Sequence, residues 1–244
     1  MNDPRPAAGP PQGGAANPMQ PQSGEHPSPP PEGGGRGAGA IGECTACPRL
    51  SDFLADVRLR QPAYHARPVA PFGDPKARLL IVGLAPGMHG ANRTGRPFTG
   101  DYAGILLYET LHAFGFGSRP TSVACNDGLT LTDCRITNAV KCLPPENKPE
   151  PSEIRTCNPY LAEELRTSPD VKVILALGLV AHKAVLMALG LKQSAWAFGH
   201  GTCHDLPDGR TLVDSYHCSR YNTQTRRLTA ESFQDVFRLV EARL

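Results

Sequence analysis

Two continuous apolar runs, each too short to cross a membrane, constrain the fold of this chain most strongly. They are residues 78–84, ARLLIVG, and residues 171–178, VKVILALG. A short apolar run bounded by glycine is typical of a strand buried on both faces, as in a parallel sheet. Two weaker runs, residues 133–140 and residues 210–216, predict two further strands.

Helical patterns lie between and after these strands. They cover roughly residues 103–114, 151–166, 179–190 and 229–243. Strands that alternate with helices form a mainly parallel sheet with helices on both faces. The sequence therefore predicts an α/β fold, a three-layer αβα sandwich around a central, mainly parallel four-stranded sheet. Ligands in such folds bind beyond the carboxyl ends of the strands, so the segments that follow the strands are candidate site segments.

The first 40 residues differ in composition from the rest of the chain. Ten of them are proline and nine are glycine, and such a segment cannot bury enough apolar surface to offset its chain entropy. We therefore expect a disordered tail over residues 1–40 and one folded domain over residues 41–244. No apolar run reaches the roughly 20 residues of a membrane helix, and no secretory signal is recognisable. We expect a monomeric, cytoplasmic protein without a membrane partner.

Four of the eight cysteines fall into two pairs. Cys44 and Cys47 form a C-x2-C pair, and Cys142 and Cys157 enclose a proline-rich loop. Four thiolates are enough for a closed site of the zinc or the iron–sulfur type. The spacing alone leaves zinc, an iron–sulfur cluster and unliganded thiols open, whereas the lack of a signal argues against disulfides.

Three further stretches together resemble one enzyme family. Residues 83–104 read GLAPGMHGANRTGRPFTGDYAG, residues 136–142 read ITNAVKC, and residues 217–229 read HCSRYNTQTRRLT. With the four cysteines in the same order, these stretches closely resemble the family 5 uracil-DNA glycosylases, the iron–sulfur branch of the superfamily that is also called type B. The resemblance covers residues 42–244.

The resemblance implies a monofunctional DNA glycosylase that flips uracil out of DNA and hydrolyses the N-glycosidic bond, which initiates base excision repair. It also implies that the partner is DNA and that other deaminated bases, such as hypoxanthine, are accepted. The cofactor it implies is a [4Fe–4S] cluster on Cys44, Cys47, Cys142 and Cys157. Two other functions stay open, a module that binds DNA lesions without catalysis and an iron–sulfur redox protein.

Three residues are candidate catalytic groups. Asn138 follows the second predicted strand, and its amide matches the N3–H and O4 of uracil. His217 follows the fourth strand and could donate a hydrogen bond to the oxyanion that develops on the departing base. Asp101 could orient water or offset positive charge on the sugar. The structural alternatives are a strand-end amide for Asn138 and the N-cap of a helix for Asp101.

The base-binding residues are expected to be Ala85, Phe98, Asn138 and His217. By resemblance, Phe98 stacks on the flipped base, although a single phenylalanine is more often part of the core. Ala85 stands where some other branches of the superfamily place a catalytic carboxylate or amide, which leaves a roomier pocket. Relatives usually have proline after the histidine, where this chain has Cys218, so the loop loses the stiffness of a proline.

Contacts with DNA are expected from loops at the same edge of the sheet. Basic side chains there would bind phosphates, and Tyr221 is a candidate wedge that fills the base stack after the base has left. The predicted DNA-binding residues are Arg93, Arg96, Ser219, Arg220, Tyr221 and Asn222. A net charge of only +2 neither supports nor excludes a nucleic-acid partner.

Overall fold

The computed structural model describes residues 38–244, so nearly all of the predicted tail, residues 1–40, lies outside the described residues. In this part of the chain the α-helices are α1 (Pro48–Arg60), α2 (Ala91–Thr94), α3 (Tyr102–Ala113), α4 (Pro151–Arg166), α5 (Leu179–Ala188), α6 (Arg220–Gln224) and α7 (Ala230–Glu241). The strands are β1 (Phe72–Gly73), β2 (Leu79–Gly83), β3 (Cys134–Asn138), β4 (Val173–Leu177), β5 (Cys203–Asp205) and β6 (Thr211–Ser215). Turns of 3₁₀ helix cover Ala38–Glu43, Pro145–Asn147 and Gln193–Ala195.

All six strands form one sheet in the order β1-β3-β2-β4-β6-β5. The four central strands are parallel to one another, and they are the four strands that the sequence predicts. The two edge strands, β1 and β5, pair antiparallel with their neighbours. They are two and three residues long, too short to show a periodic pattern, and the predicted strand number is corrected from four to six for this reason.

Both faces of the central strands are buried, which explains why their sequences are apolar without alternation. In β2, Leu79 and Ile81 pack in one apolar cluster with α3 and α7. Leu80 and Val82 of the same strand pack in a second cluster with α4 and α5. Helices therefore cover both faces, and the predicted three-layer architecture is confirmed. None of the described helices is long and apolar enough to cross a membrane.

Side-chain caps set where the helices near the carboxyl ends of the strands begin. The Asp101 side chain accepts a hydrogen bond from the Gly104 backbone N–H at the start of α3. The Ser219 side chain accepts one from the Asn222 backbone N–H at the start of α6. These caps satisfy backbone donors that have no partner within the helix. They also fix the points at which two loops leave the edge of the sheet.

Candidate active site

A pocket of about 430 Å³ opens at the carboxyl ends of the parallel strands, within the ~300–1,000 Å³ range of small-molecule sites. We call it the strand-end pocket. Its walls come from the segments that follow β2, β3 and β6 and from the loop before α3. Seven predicted site residues line it together: Ala85, Phe98, Asp101, Asn138, His217, Ser219 and Arg220.

Asn138 is the last residue of β3 and is only 3% exposed. Its Oδ1 atom is buried and has no hydrogen-bond partner among the described residues. A Cβ atom on Gly83 would lie 2.5 Å from this oxygen and 2.6 Å from Cζ of Phe98, so only glycine allows all three to meet at the end of β2. An unpaired buried acceptor costs about 1–3 kcal/mol, and a ligand that donates a hydrogen bond would recover this energy.

Phe98 belongs both to the apolar core and to the wall of the strand-end pocket. Its ring stacks against the imidazole of His217, with the ring centroids 5.9 Å apart and an interplanar angle of 28°. Its backbone φ is +56°, a conformation that is unfavourable for a bulky residue. Strain of this kind persists only where the surroundings hold it in place, and it is commonest at functional sites.

A buried ionic network holds the loop around Phe98. Arg96 donates one hydrogen bond from Nη2 to Asp127 Oδ2 and another to Ser122 Oγ, both 2.6 Å long, and a third from Nε to Thr99 Oγ1 at 2.8 Å. Burial alone would raise the pKa of Asp127, but Arg96 and three backbone N–H groups lower it well below its ordinary value.

Arg96 is 3% exposed, and its guanidinium is occupied by this network. The predicted contact between Arg96 and a DNA phosphate is therefore corrected, because a buried side chain whose guanidinium is bonded to Asp127, Ser122 and Thr99 cannot reach the DNA backbone. In the structure, Arg96 supports the loop that carries Phe98.

Asp101 lines the strand-end pocket and caps α3, with Oδ1 accepting the Gly104 N–H at 3.0 Å. The N-cap that the sequence left as an alternative is thus present. Burial raises the pKa of this carboxyl, and hydrogen bonds from the backbone of Gly104 and Ala103 partly oppose the rise. A catalytic role for Asp101 stays a prediction beside its capping role.

His217 keeps some contact with solvent, but the protein packed around its ring lowers the pKa to about 4 by desolvation. The imidazole is therefore neutral at pH 7 and offers one N–H donor. The carbonyl of His217 accepts a hydrogen bond from Asn222 Nδ2 at 2.8 Å, so Asn222 supports this loop, and its contact with DNA stays a prediction. Cys218 is fully buried in the core, which anchors the loop where relatives have a proline ring.

The remaining predicted DNA contacts lie at the rim or outside it. Arg93 is exposed. Arg220 is exposed as well, and its guanidinium lies over the ring of Tyr102, 4.9 Å from the centroid. Tyr221 is 70% exposed and does not line the strand-end pocket. These exposed positions are compatible with DNA binding, which stays a prediction for each of them.

Sequence reasoning missed Tyr102 and Asn147 in the wall of the strand-end pocket. Asn147 lies in the proline-rich loop between Cys142 and Cys157 and has a φ of +56°. Asparagine tolerates this left-handed conformation better than most residues do. A single asparagine in a proline-rich loop was therefore the only available signal, and it did not indicate which surface the loop would face.

The four predicted metal ligands, Cys44, Cys47, Cys142 and Cys157, line one narrow cavity, which we call the cysteine cavity. Burial raises the pKa of Cys142 to about 12, and repulsion from the other three thiols adds to the rise. The backbone N–H of Lys141 donates a hydrogen bond to Sγ of Cys157 at 3.3 Å. Four thiols around one cavity suit a cationic metal centre that would hold them as thiolates, and an N–H···S bond such as that to Cys157 supports a ligand of this type.

A separate polar cluster links α5 to the edge of the sheet. Within residues 38–244, only His182, His204 and Asp214 form a group of three or more possible metal ligands whose donor atoms all lie within 4.8 Å of one another. Asp214 is fully buried in β6 and forms hydrogen bonds with His182 Nδ1 at 2.8 Å and with His204 Nε2 at 3.0 Å. No short spacing in the sequence indicates this cluster.

The family model for the uracil DNA glycosylase superfamily matches residues 70–241. A type-5 uracil-DNA glycosylase of Thermus thermophilus is 50% identical over 205 residues, which cover 82% of this chain and 92% of that protein. Type-5 uracil-DNA glycosylases of Mycobacterium bovis and Pyrobaculum aerophilum are 43% and 41% identical, over 83% and 82% of this chain and 81% and 88% of those proteins. The matched region 70–241 contains the whole strand-end pocket.

Proposed function

Since the chain belongs to the uracil DNA glycosylase superfamily, and within it to the type-5 uracil-DNA glycosylases, we propose that it removes uracil from DNA by hydrolysing the N-glycosidic bond. Family membership supports the class of reaction. The buried, unpaired Oδ1 of Asn138 is the observation that supports the strand-end pocket as the place where the base is held.

Asn138 would recognise the base through a pair of hydrogen bonds. Uracil N3–H donates to Oδ1, and uracil O4 accepts from Nδ2. The first bond satisfies an oxygen that has no other partner among the described residues. Forming this bond therefore makes the free energy of base binding more favourable. Phe98 supplies an aromatic surface beside the amide for stacking, and base–aromatic stacking contributes about 1–3 kcal/mol.

His217 would act on the leaving base. As the glycosidic bond breaks, negative charge develops on the base, and a fixed N–H donor stabilises that charge more strongly than water does. Because burial lowers the pKa of His217 to about 4, the donor at neutral pH is the uncharged imidazole. Asp101 would orient the attacking water or offset the positive charge on the sugar, from the same wall of the pocket.

Ala85 offers the base no polar group, which supports a broader choice of substrate that includes hypoxanthine. DNA would cross the rim, where Arg93 and Arg220 could bind phosphates and Tyr221 could fill the gap left in the stack. We propose that the enzyme acts as a monomer. Because its proposed substrate is DNA, we propose that it acts in the compartment that contains the DNA, which in a bacterial cell is the cytoplasm.

We further propose that the cysteine cavity holds a [4Fe–4S] cluster. Each thiolate of such a cluster binds a different iron atom, so the four sulfurs need not converge as closely as they do around one zinc ion. Bound there, the cluster would supply a cross-link rather than reaction chemistry, because its ligands join the segment before α1, the segment after β3 and helix α4. Iron analysis and visible absorption of the purified protein distinguish this cofactor from zinc.

Incubation with a uracil-containing duplex, followed by alkali and gel electrophoresis, tests the proposed function. Strand cleavage at the uracil is expected, together with release of free uracil. Intact strands after incubation with iron-loaded protein that still binds the DNA would instead support a non-catalytic module that recognises lesions. Oligonucleotides that carry hypoxanthine or xanthine in place of uracil rank the substrates in the same assay.

A further inference from the structure

A second groove, of about 340 Å³, adjoins the strand-end pocket. We call it the side groove. Three residues, Asp101, Tyr102 and Arg220, line both the groove and the pocket. The rest of the groove is formed by the first turns of α3 and by residues 120–123. Ligands bound in the two spaces would therefore lie next to each other.

The side groove exposes apolar surface to an unusual degree. Tyr102, Ile105 and Val123 are 36%, 54% and 63% exposed, and all three line it. They are three of only seven strongly exposed large hydrophobic residues within residues 38–244. Apolar surface gathered in one concave patch, rather than scattered, marks an interaction site.

Charged groups stand at two places in the side groove. The guanidinium of Arg220 lies over the ring of Tyr102, at the junction with the strand-end pocket. An arginine in this position is suited to a phosphate that links two bound nucleotides. The carboxylate of Glu109 lines the groove as well, and a carboxylate accepts hydrogen bonds from exocyclic amino groups of bases.

We propose that the side groove holds a second nucleobase, that of the nucleotide next to the excised one on the same strand. The inference rests on the proposed function, because the flipped base in the strand-end pocket fixes where the strand must pass. Ile105 and Val123 cover one face of the second base, and Arg220 binds the phosphate between the two nucleotides. The shared wall residues favour a neighbour along the strand over a base of the opposite strand, which would lie farther away.

The side chains that carry this proposal are exposed, so they can be changed without disturbing the core. The double variant Ile105→Ser, Val123→Ser removes the apolar wall and keeps the backbone. Leu59→Ser is the matched control, because Leu59 is 81% exposed on α1 and lines neither the groove nor the pocket.

Three uracil-containing duplexes test the proposal, one with normal neighbours and two with an abasic residue directly 5′ or 3′ of the uracil. With normal neighbours, the double variant should lose about 10- to 150-fold in kcat/KM, the fold-change that corresponds to the lost burial of one aliphatic side chain against the base. With the abasic residue on one particular side, the double variant and the wild type should react equally. Leu59→Ser should follow the wild type on all three duplexes.

The results separate the proposal from its premise. An equal loss on all three duplexes, or no loss on any, overturns the second-base site while leaving uracil excision intact. A fourth duplex omits only the base opposite the neighbour, and recovery of the loss on that duplex alone would assign the groove to the other strand and also overturn the proposal. Failure of the wild type to release uracil from any duplex overturns the proposed function itself.

Discussion

The strand-end pocket and the cysteine cavity are neighbours along the chain, because Asn138 lines the first and Cys142, four residues later, lines the second. In the pocket, the buried Oδ1 of Asn138 has no hydrogen-bond partner within residues 38–244. The cavity gathers four thiols, and burial, with a smaller contribution from the neighbouring thiols, raises the pKa of Cys142. The two sites differ in chemistry, because the amide oxygen suits a hydrogen-bonding base and the four thiols suit a metal centre.

In the turn that joins the two sites, base binding and the stability of the fold depend on different residues. Backbone bonds from Ala139 and Val140 to the carbonyls of Gly83 and Leu84 continue the pairing of β3 with β2 beyond the strands. Val140 then packs in the apolar cluster with α1. A rigid turn of this kind lets changes in the pocket leave the cavity intact, and iron content together with uracil release measures the two independently.

The largest effect is expected at the cysteine cavity. Cys157→Ala removes one of four ligands and should lower the iron content from about four atoms per chain to near zero, with loss of the visible absorption and a lower melting temperature. Cys203→Ala, which changes a thiol outside the cavity, should keep the iron. A Cys157→Ala protein with its full iron content would remove this residue from the ligand set.

The network beneath Phe98 should give the next largest effect. Arg96→Met takes the guanidinium away from the Asp127 carboxylate, which is 11% exposed and keeps three backbone N–H donors. The cost should therefore lie near the lower end of the range for a broken buried ion pair, about 3 kcal/mol of unfolding free energy. Arg93→Met changes an exposed arginine three residues away and should stay within about 0.5 kcal/mol of the wild type. Urea unfolding measures both, and equal stabilities for the two variants would show that Arg96 does not support the loop.

Loss of the Asn138 amide should affect the pocket alone. Asn138→Ala should lower the single-turnover rate of uracil release by about 100- to 1,000-fold, the range seen when one preorganised hydrogen-bonding group is removed from an active site. Its iron content and its affinity for undamaged DNA should match those of the wild type. Uracil release within threefold of the wild type would mean that the base is recognised elsewhere.

A smaller, pH-dependent effect is expected from His217. Its pKa is about 4 in the folded protein against an ordinary value of 6.5, so the unfolded chain takes up the proton first as the pH falls. The unfolding free energy should therefore decrease between about pH 6.5 and pH 4, by about 1–3 kcal/mol for the partly solvated ring. Urea unfolding across this range measures the decrease.

His217→Gln serves as the control for that profile, because it removes the titrating ring. Asp101 lines the same pocket and acts in the opposite sense, since burial raises its pKa and the folded state gains stability as this carboxyl takes up a proton. Subtraction of the His217→Gln profile from the wild-type profile isolates the imidazole. Parallel profiles for the two proteins would contradict the lowered pKa.

Elements that bury a long, regular face could be predicted from the sequence. The central strands β2 and β4 are apolar at every position because both of their faces are covered, and the long helices α3, α4, α5 and α7 lie close to their predicted ranges. The 13-residue helix α1 is the exception among the long helices, because no range was predicted for it. The edge strands β1 and β5 and the short helices α2 and α6 were not predicted. They have only two to five residues, too few for a period to appear.

The residues of the candidate site also divide into those that the sequence predicts well and those that it does not. Its members at or just beyond the carboxyl end of a strand, Ala85, Asn138 and His217, meet in one pocket, as expected for a parallel sheet. Loop residues were harder to judge, since Arg96 and Arg93 look alike in the sequence. Only one of them lies within reach of Asp127, which is 31 positions away along the chain.

By itself the sequence determined the order of strands and helices, the edge of the sheet at which chemistry can occur, and the residue types available there. Those properties follow from local periodicity and from chain direction. The tertiary structure alone decided which polar groups are paired and which are left unpaired. Burial and hydrogen bonding depend on partners that are distant in sequence, and for this reason Arg96 became a structural support while the Asn138 oxygen stayed available to a ligand.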